Sequence, residues 1–437
     1  MIMKRRTYIP FLFIMLFSLL LFSQNFTPIA FDLAAPIDVN LDANGTPWVT
    51  QSGSGANDGL VQKVNPDGTK ETIIEGLPSY FDFMLEELQG PLSTQVMADG
   101  RIFVCQGAGP DSLSQTIMEF HWDDYVAKGA PLVAADRRNT IWHGQWVLAN
   151  GFDESNPYSF LIDGDGNFLI SDAAANAIIK YNVTADEFSV LTEFPSFQNP
   201  TPIGPPFVQV VPTKILAHPD GGYLVSSLTG FPFLDGASNI YRVQEDGTTS
   251  VYASGLTLVT DMDWDPNDGE LVALQFAAFG PVDTSFSFIF NSAQLIKVHE
   301  TGALDTIAAG FGPSPGLAFA ADGSVYLTHL FLEQLLKTDP LSTPVFDLGK
   351  WQPKPITVFP NPNDGQFTAK IFLENQSEVT YRLTDLLGRE AATGLVGHLP
   401  TGENTVPLHF SNNIGHGAYQ LSLFTENEFF VSKIIFQ

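Results

Sequence analysis

Seven polar residues of this 437-residue chain stand where loops are expected and could present chemistry to a ligand: Glu86, Glu87, Glu154, Asn156, Asp172, Asp261 and His329. Carboxylates, an amide and an imidazole can together donate and accept hydrogen bonds to one bound molecule, provided the fold gathers them at a common mouth. Asp172 and His329 follow short apolar runs. Asp261 and the pair Glu154 and Asn156 precede such runs, and Glu86 and Glu87 stand just before Gly90-Pro91. The competing reading makes the same residues ordinary loop polars and hairpin partners, because convergence is a property of the fold.

Sequence-local catalytic signatures are missing. The chain has no Gly-x-Ser-x-Gly, no His-Glu-x-x-His and no Walker loop, and Gly107-Ala-Gly109 lacks the third glycine of a dinucleotide fingerprint. Asp163-Gly-Asp-Gly-Asn167 spaces oxygen ligands as a calcium loop does. However, Phe168 stands where that loop needs glycine and Ala174 where it needs glutamate, so the segment reads as a hairpin corner. Cys105, the single cysteine, lies in the apolar run Arg101-Ile-Phe-Val-Cys105 and is expected to serve as a small buried hydrophobe. With 20 basic against 48 acidic residues and a net charge of −28, the surface repels phosphate backbones, so nucleic acid is excluded as a partner.

The elements that must position these residues repeat. An Asn-Gly or Asp-Gly corner precedes a short apolar strand six times, at Asn44-Gly45, Asp99-Gly100, Asp165-Gly166, Asp220-Gly221, Asp268-Gly269 and Asp322-Gly323. Such pairs tolerate positive φ, and a type I′ hairpin is expected at each. A second strand with a basic or polar residue among apolar ones follows several corners, as in Leu60-Val-Gln-Lys-Val64 and Ala177-Ile-Ile-Lys-Tyr-Asn182. Four short antiparallel strands per repeat make a propeller blade, so residues 31–340 are expected to form a six-bladed all-β propeller. Insertions around Phe120 to Asp136 and Phe276 to Ser292 interrupt the second and fifth repeats.

With the repeats placed, Val39-Asn-Leu-Asp-Ala-Asn-Gly45, Ser155-Asn-Pro-Tyr158, Val211-Pro-Thr213 and Leu228-Thr-Gly-Phe-Pro-Phe233 resemble the ScyD/ScyE family, which is similar to NHL-type propellers. That resemblance implies no established reaction. It favours a non-catalytic exported propeller that binds a small molecule, glycan or protein at the cell surface, with catalytic residues unknown and no metal. The alternative is a hydrolase or lactonase resembling gluconolactonase-type six-bladed propellers, in which Glu, Asn and Asp would hold a divalent cation that polarises a substrate oxygen.

Both ends of the chain point to export. Lys4-Arg5-Arg6 followed by the apolar run Ile9 to Phe22 reads as a signal peptide within residues 1–30, cut after Ser23 or Ala30, and the run is too short for a confident membrane span. No transmembrane span is therefore expected in the mature protein. At the other end, Val379, Tyr381 and Leu383, and later Ile434 and Phe436, alternate with other residues between turn clusters, as strands with one buried face do. Asn361-Pro-Asn-Asp-Gly365, Tyr381-Arg-Leu-Thr-Asp-Leu-Leu-Gly-Arg389 and Gly417-Ala-Tyr-Gln-Leu-Ser-Leu423 resemble the type A C-terminal sorting domain of the type IX (Por) secretion system of Bacteroidetes. This implies a small immunoglobulin-like sandwich at 356–437 recognised by the secretion machinery, after a Pro-containing linker at 341–355.

Overall fold

A computed structural model describes residues 26–83, 87–282, 285–340, 354–385, 390–410, 414–425 and 429–437. Residues 1–25 of the expected signal peptide, Glu86, residues 341–353 of the expected linker and most of the turns at 385–388 and 425–428 lie outside the described residues. Two compact units divide the chain, one over Leu21–Ser342 and one containing Thr343–Gln437.

In the first unit the repeats become six four-stranded antiparallel sheets. The first runs Pro36–Leu41, Pro47–Gln51, Gly59–Val64 and Lys70–Leu77, and the next four follow the same order from Pro91–Val96, Pro157–Ile162, Pro212–Ala217 and Val259–Trp264. The sixth takes three strands, Leu317–Phe319, Val325–His329 and Gln334–Thr338, from the end of the unit. Its outer strand comes from the beginning: Thr27–Ala30 pairs with Gln334–Thr338, Ala30 is buried, and the Phe26 ring lies 4.6 Å from that of Phe311.

The first strand of each sheet adjoins the first strands of its two neighbours, and these contacts close a ring, which is the arrangement of a propeller. Six apolar cores fill the spaces between successive sheets, for example Trp48, Val61, Ile102 and Met118 between the first two, and Val39, Val49, Ala318 and Leu335 between the last and the first. Buried Cys105 belongs to the core between the second and third. Burial on both faces explains why the second strands, such as Pro47–Gln51 and Phe168–Asp172, open with three consecutive apolar residues instead of alternating.

The corners correct one expectation. At all six, the glycine alone takes positive φ, between 75° and 91°, so the turns are not type I′. The preceding Asn or Asp keeps negative φ. At Asp99, Asp268 and Asp322 its carboxylate accepts the N–H two residues on, at 3.0 to 3.1 Å, and this local bond stabilises the right-handed conformation instead. The insertion in the second sheet carries the helix Trp122–Lys128, started by a His121 side-chain cap and ended by Gly129 in the left-handed region. The fifth holds a small hairpin of Phe279–Val282 and Ser285–Phe288.

In the second unit, a five-stranded sheet and the three-stranded sheet of Thr357–Phe359, Gln366–Leu373 and Gly402–His409 share one core containing Phe367, Ile371, Val406, Val379, Leu421 and Phe430. This is a sandwich. Lys354–Pro355, at the end of the expected linker, already pairs in parallel with Phe430–Val431. Asn361 accepts from Ile435 N and donates to Lys433 O, both at 2.8 Å, so the Pro-Asn-Pro-Asn segment clamps the final strand.

The expected mature start follows from the sixth sheet. A chain beginning after Ala30 would lack its outer strand, whereas one beginning after Ser23 keeps it. Intact-mass measurement of the exported protein is expected to show an N terminus upstream of Phe26; a start at Phe31 would refute this.

Candidate functional site

The alternation of strand direction sorts the connections of the propeller onto two sides. First-to-second and third-to-fourth strand connections share one side, which holds the six Asx-Gly corners. Second-to-third connections and crossings between sheets share the other. Most are longer, as at residues 107–115, 194–211, 228–237 and 276–292. Every described exposed aromatic residue of this unit lies on a connection of the second kind: Phe31, Tyr80, Phe83, Trp142, Phe207, Phe231, Phe286, Phe290 and Phe331. Phe231, Phe233, Phe279 and Phe288 form a continuous ring cluster with centroids 5.0 to 6.3 Å apart, and the Phe290 ring approaches His329 at 5.6 Å.

The sequence-predicted residues fall into three places. Asp172 and His329 are the last residues of second strands, and Gln51, Gln106, Ser227 and Gln275 occupy the same position in the other sheets. Their side chains anchor nearby backbone. Gln51 accepts from Ala34 N at 2.7 Å, Gln106 donates to Pro78 O at 2.8 Å and Gln275 accepts from Thr257 N at 2.7 Å. Asp172 accepts from Asn156 N at 2.8 Å, Ala175 N at 3.0 Å and Ser155 Oγ at 2.6 Å, and pairs with His143 Nε2 at 2.7 Å. Burial would raise its pKa, but His143, Ser155 and the Ala175 amide hold it below the usual value. The buried imidazole of His329 accepts from Leu332 N at 3.3 Å, and burial lowers its pKa.

Asp261 lies inside an inner strand, not before one. Its Oδ1 is 2.9 Å from Lys214 Nζ, and its Oδ2 accepts from Leu317 N of the next sheet at 2.8 Å. Similar bonds join neighbouring inner strands around the ring: Asp38 accepts from Thr94 N at 3.2 Å, Ser159 donates to Thr213 O at 2.7 Å, Thr213 to Val259 O at 2.8 Å, and Asp263 accepts from Phe319 N at 2.9 Å. Burial, with the Asp38 charge added, pushes the Asp261 carboxyl up to about 7 against the opposing pull of Lys214. Burial works against the Lys214 charge too, but Asp261 and Asp38 more than offset it and raise the ammonium pKa. These groups surround an axial cavity of only about 10 Å³, the size of one water.

The third place is the loop side. Glu87 and Glu154 stand at the surface there, and partial enclosure of the Glu87 carboxyl by its neighbours, then the Asp82 and Glu154 charges, raise its pKa. Asn156 accepts from Ala108 N at 2.8 Å, joining the third sheet to a loop of the second. Ala108 also lines a cleft of about 230 Å³ that sequence reading missed, with Gly55, Asn57, Ser79, Tyr80, Asp111 and Ser114 among its walls. Only the glycines around residues 53–55 and 107–109 hinted at such a close approach of backbones.

The sequence of the second unit matches a known family. Residues 357–437 match the secretion system C-terminal sorting domain. The protein is therefore exported by the type IX route, to the cell surface or the extracellular space. No helix among the described residues is long and apolar enough to cross a membrane. No curated protein sequence matches the chain.

Solved structures similar in shape include a protein of unknown function from Bacteroides thetaiotaomicron, 13% identical over 72% of this chain and 76% of its own, with a TM-score of 0.47. The gluconolactonase XC5397 from Xanthomonas campestris is 12% identical over 72% and 89%, with a TM-score of 0.47. The WD40 propeller domain of Doa1 is 10% identical over 70% and 94%, with a TM-score of 0.39. At such values they carry no information on activity; the propeller assignment rests on the strand pairing above.

Proposed function

We propose that the protein is a non-catalytic exported propeller that binds a ligand at the cell surface through the side carrying the longer connections. The observation that carries this reading is the placement of the exposed aromatic residues, all on that side's classes of connection. Exposed apolar groups gathered on one surface mark interaction sites. The internal bonds of Asp172, Asp261 and His329 support the same reading, because these side chains anchor loops and join sheets. The resemblance of residues 36–350 to the ScyD/ScyE family and the signal-like start, Lys4-Arg5-Arg6 before an apolar run, accord with a bacterial surface protein of Bacteroidetes type.

The test combines metal analysis of the mature protein, lactone and ester turnover before and after chelation, and a thermal-shift screen of glycans and aromatic small molecules. A ligand that binds the native state raises its apparent melting temperature. A shift without turnover is the expected result. Stoichiometric metal with chelator-sensitive turnover would overturn it in favour of the gluconolactonase-like alternative.

A further inference from the structure

The 230 Å³ cleft is built from three connections: Gly55 and Asn57 from the first sheet, Ser79 and Tyr80 from the crossing to the second, and Asp111 and Ser114 from the second. Its volume lies below the roughly 300–1,000 Å³ of pockets for drug-sized ligands, so it suits one ring-sized unit. An amide, hydroxyls and a carboxylate line it beside the Tyr80 ring, which is 41% exposed. A wholly apolar ligand would bury those polar groups without partners. Anions are disfavoured as well, because Asp111 is the one charged group among the lining residues and carries a negative charge. A neutral body with hydroxyls around its edge and C–H groups on its faces meets both constraints.

The walls are held in place before any ligand arrives. Asp58, next to Asn57, accepts from Ser54 N at 2.8 Å, Ala56 N at 3.3 Å and Ser79 Oγ at 2.9 Å. Burial pushes its pKa up, but these bonds together with the one from Ser54 Oγ at 2.7 Å bring the carboxyl down to about 2, so they persist at neutral pH. Ala56 bridges to Tyr80, and a side chain at Gly55 would meet Phe81 N at 2.6 Å. Such fixed walls reduce the ordering cost of binding. Asp111 Oδ1 accepts from Leu113 N at 2.8 Å, which ties this lining carboxylate to its own loop.

We propose that this cleft binds a single neutral saccharide residue, the end unit of a glycan, with its edge toward Asn57, Asp111 and Ser114 and a face toward Tyr80. The proposal rests on the loop-side binding reading above and names its ligand class. Calorimetric titration of the mature protein would use methyl glycosides of glucose, galactose, mannose and N-acetylglucosamine, with glucuronate, glucose 6-phosphate and a short uncharged peptide for comparison. At least one neutral glycoside is expected to bind, with the anionic sugars about tenfold weaker or more. Tyr80→Ala and Asn57→Gly, the glycine tolerating the positive φ of 58° at that position, are each expected to weaken binding about tenfold with little change in melting temperature, and Phe231→Ala to leave it intact. Absence of binding by every neutral glycoside, or binding of the peptide alone, would overturn the saccharide assignment. Loss in Phe231→Ala with retention in Tyr80→Ala would overturn the cleft while leaving loop-side binding standing; saccharide binding unaffected by all three substitutions would likewise overturn the cleft.

Discussion

Lys214→Met is expected to destabilise the propeller by about 3–5 kcal/mol at neutral pH, the usual cost of removing one partner from a buried ion pair. Lys214 faces Asp261 directly and lies within electrostatic reach of Asp38 and Asp263, and burial raises the pKa of all three carboxyls. A carboxyl whose folded pKa exceeds its unfolded value contributes stability that is fully present below the unfolded value and is lost as pH rises through the folded one. For Asp261 that window runs from about 4 to about 7. The wild-type propeller is therefore expected to lose part of its stability across this range, and Lys214→Met to lose more, because its carboxylates have no cation beside them. Urea midpoints at pH 5, 7 and 8.5 measure this. A variant as stable as wild type at pH 8.5, or one whose deficit is the same at all three pH values, would contradict the axial charge assignment.

Deleting residues 356–437 is expected to abolish export, leaving the propeller in the periplasm at wild-type synthesis levels. The deletion removes the sandwich that matches the sorting family, including the Asn361 clamp on the final strand. The propeller is a separate compact unit, so it should remain folded and protease-resistant inside the cell. Fractionation with an antibody to the propeller checks both halves of the expectation. Normal appearance of the truncated protein in the surface or medium fraction would remove the sorting role, whereas loss of the protein from every fraction would refute the independence of the propeller.

Legibility in the sequence followed sequence distance. The six corners are read from adjacent residues, and the sheets appeared where the Asx-Gly pairs placed them. The outer strand Thr27–Ala30 was missed because it is four residues long, adjoins a signal-like segment, and pairs with residues more than 300 positions away. The bonds from Asp38 to Thr94 and from Asp261 to Leu317 each span 56 residues, so no local pattern could assign them. A clearer signal existed for Asp172 and His329. Gln51, Gln106, Asp172, Ser227, Gln275 and His329 each stand six residues after a corner glycine. A polar residue at that fixed offset in every repeat points to a task set by the blade, here loop anchoring. The cleft beside Tyr80 had no comparable periodicity, because three different connections build it.

The sixth sheet also sets an order of events during synthesis. Its outer strand precedes every other strand of the propeller in the chain, and its partner, Gln334–Thr338, follows all of them. The ring cannot close until nearly all of it has left the ribosome, and a chain that stops early keeps an unpaired edge. The sorting sandwich is encoded after that closing strand, so every polypeptide that carries the export label also carries every strand required to complete the ring. Placed there, the label reports that the cargo was translated in full.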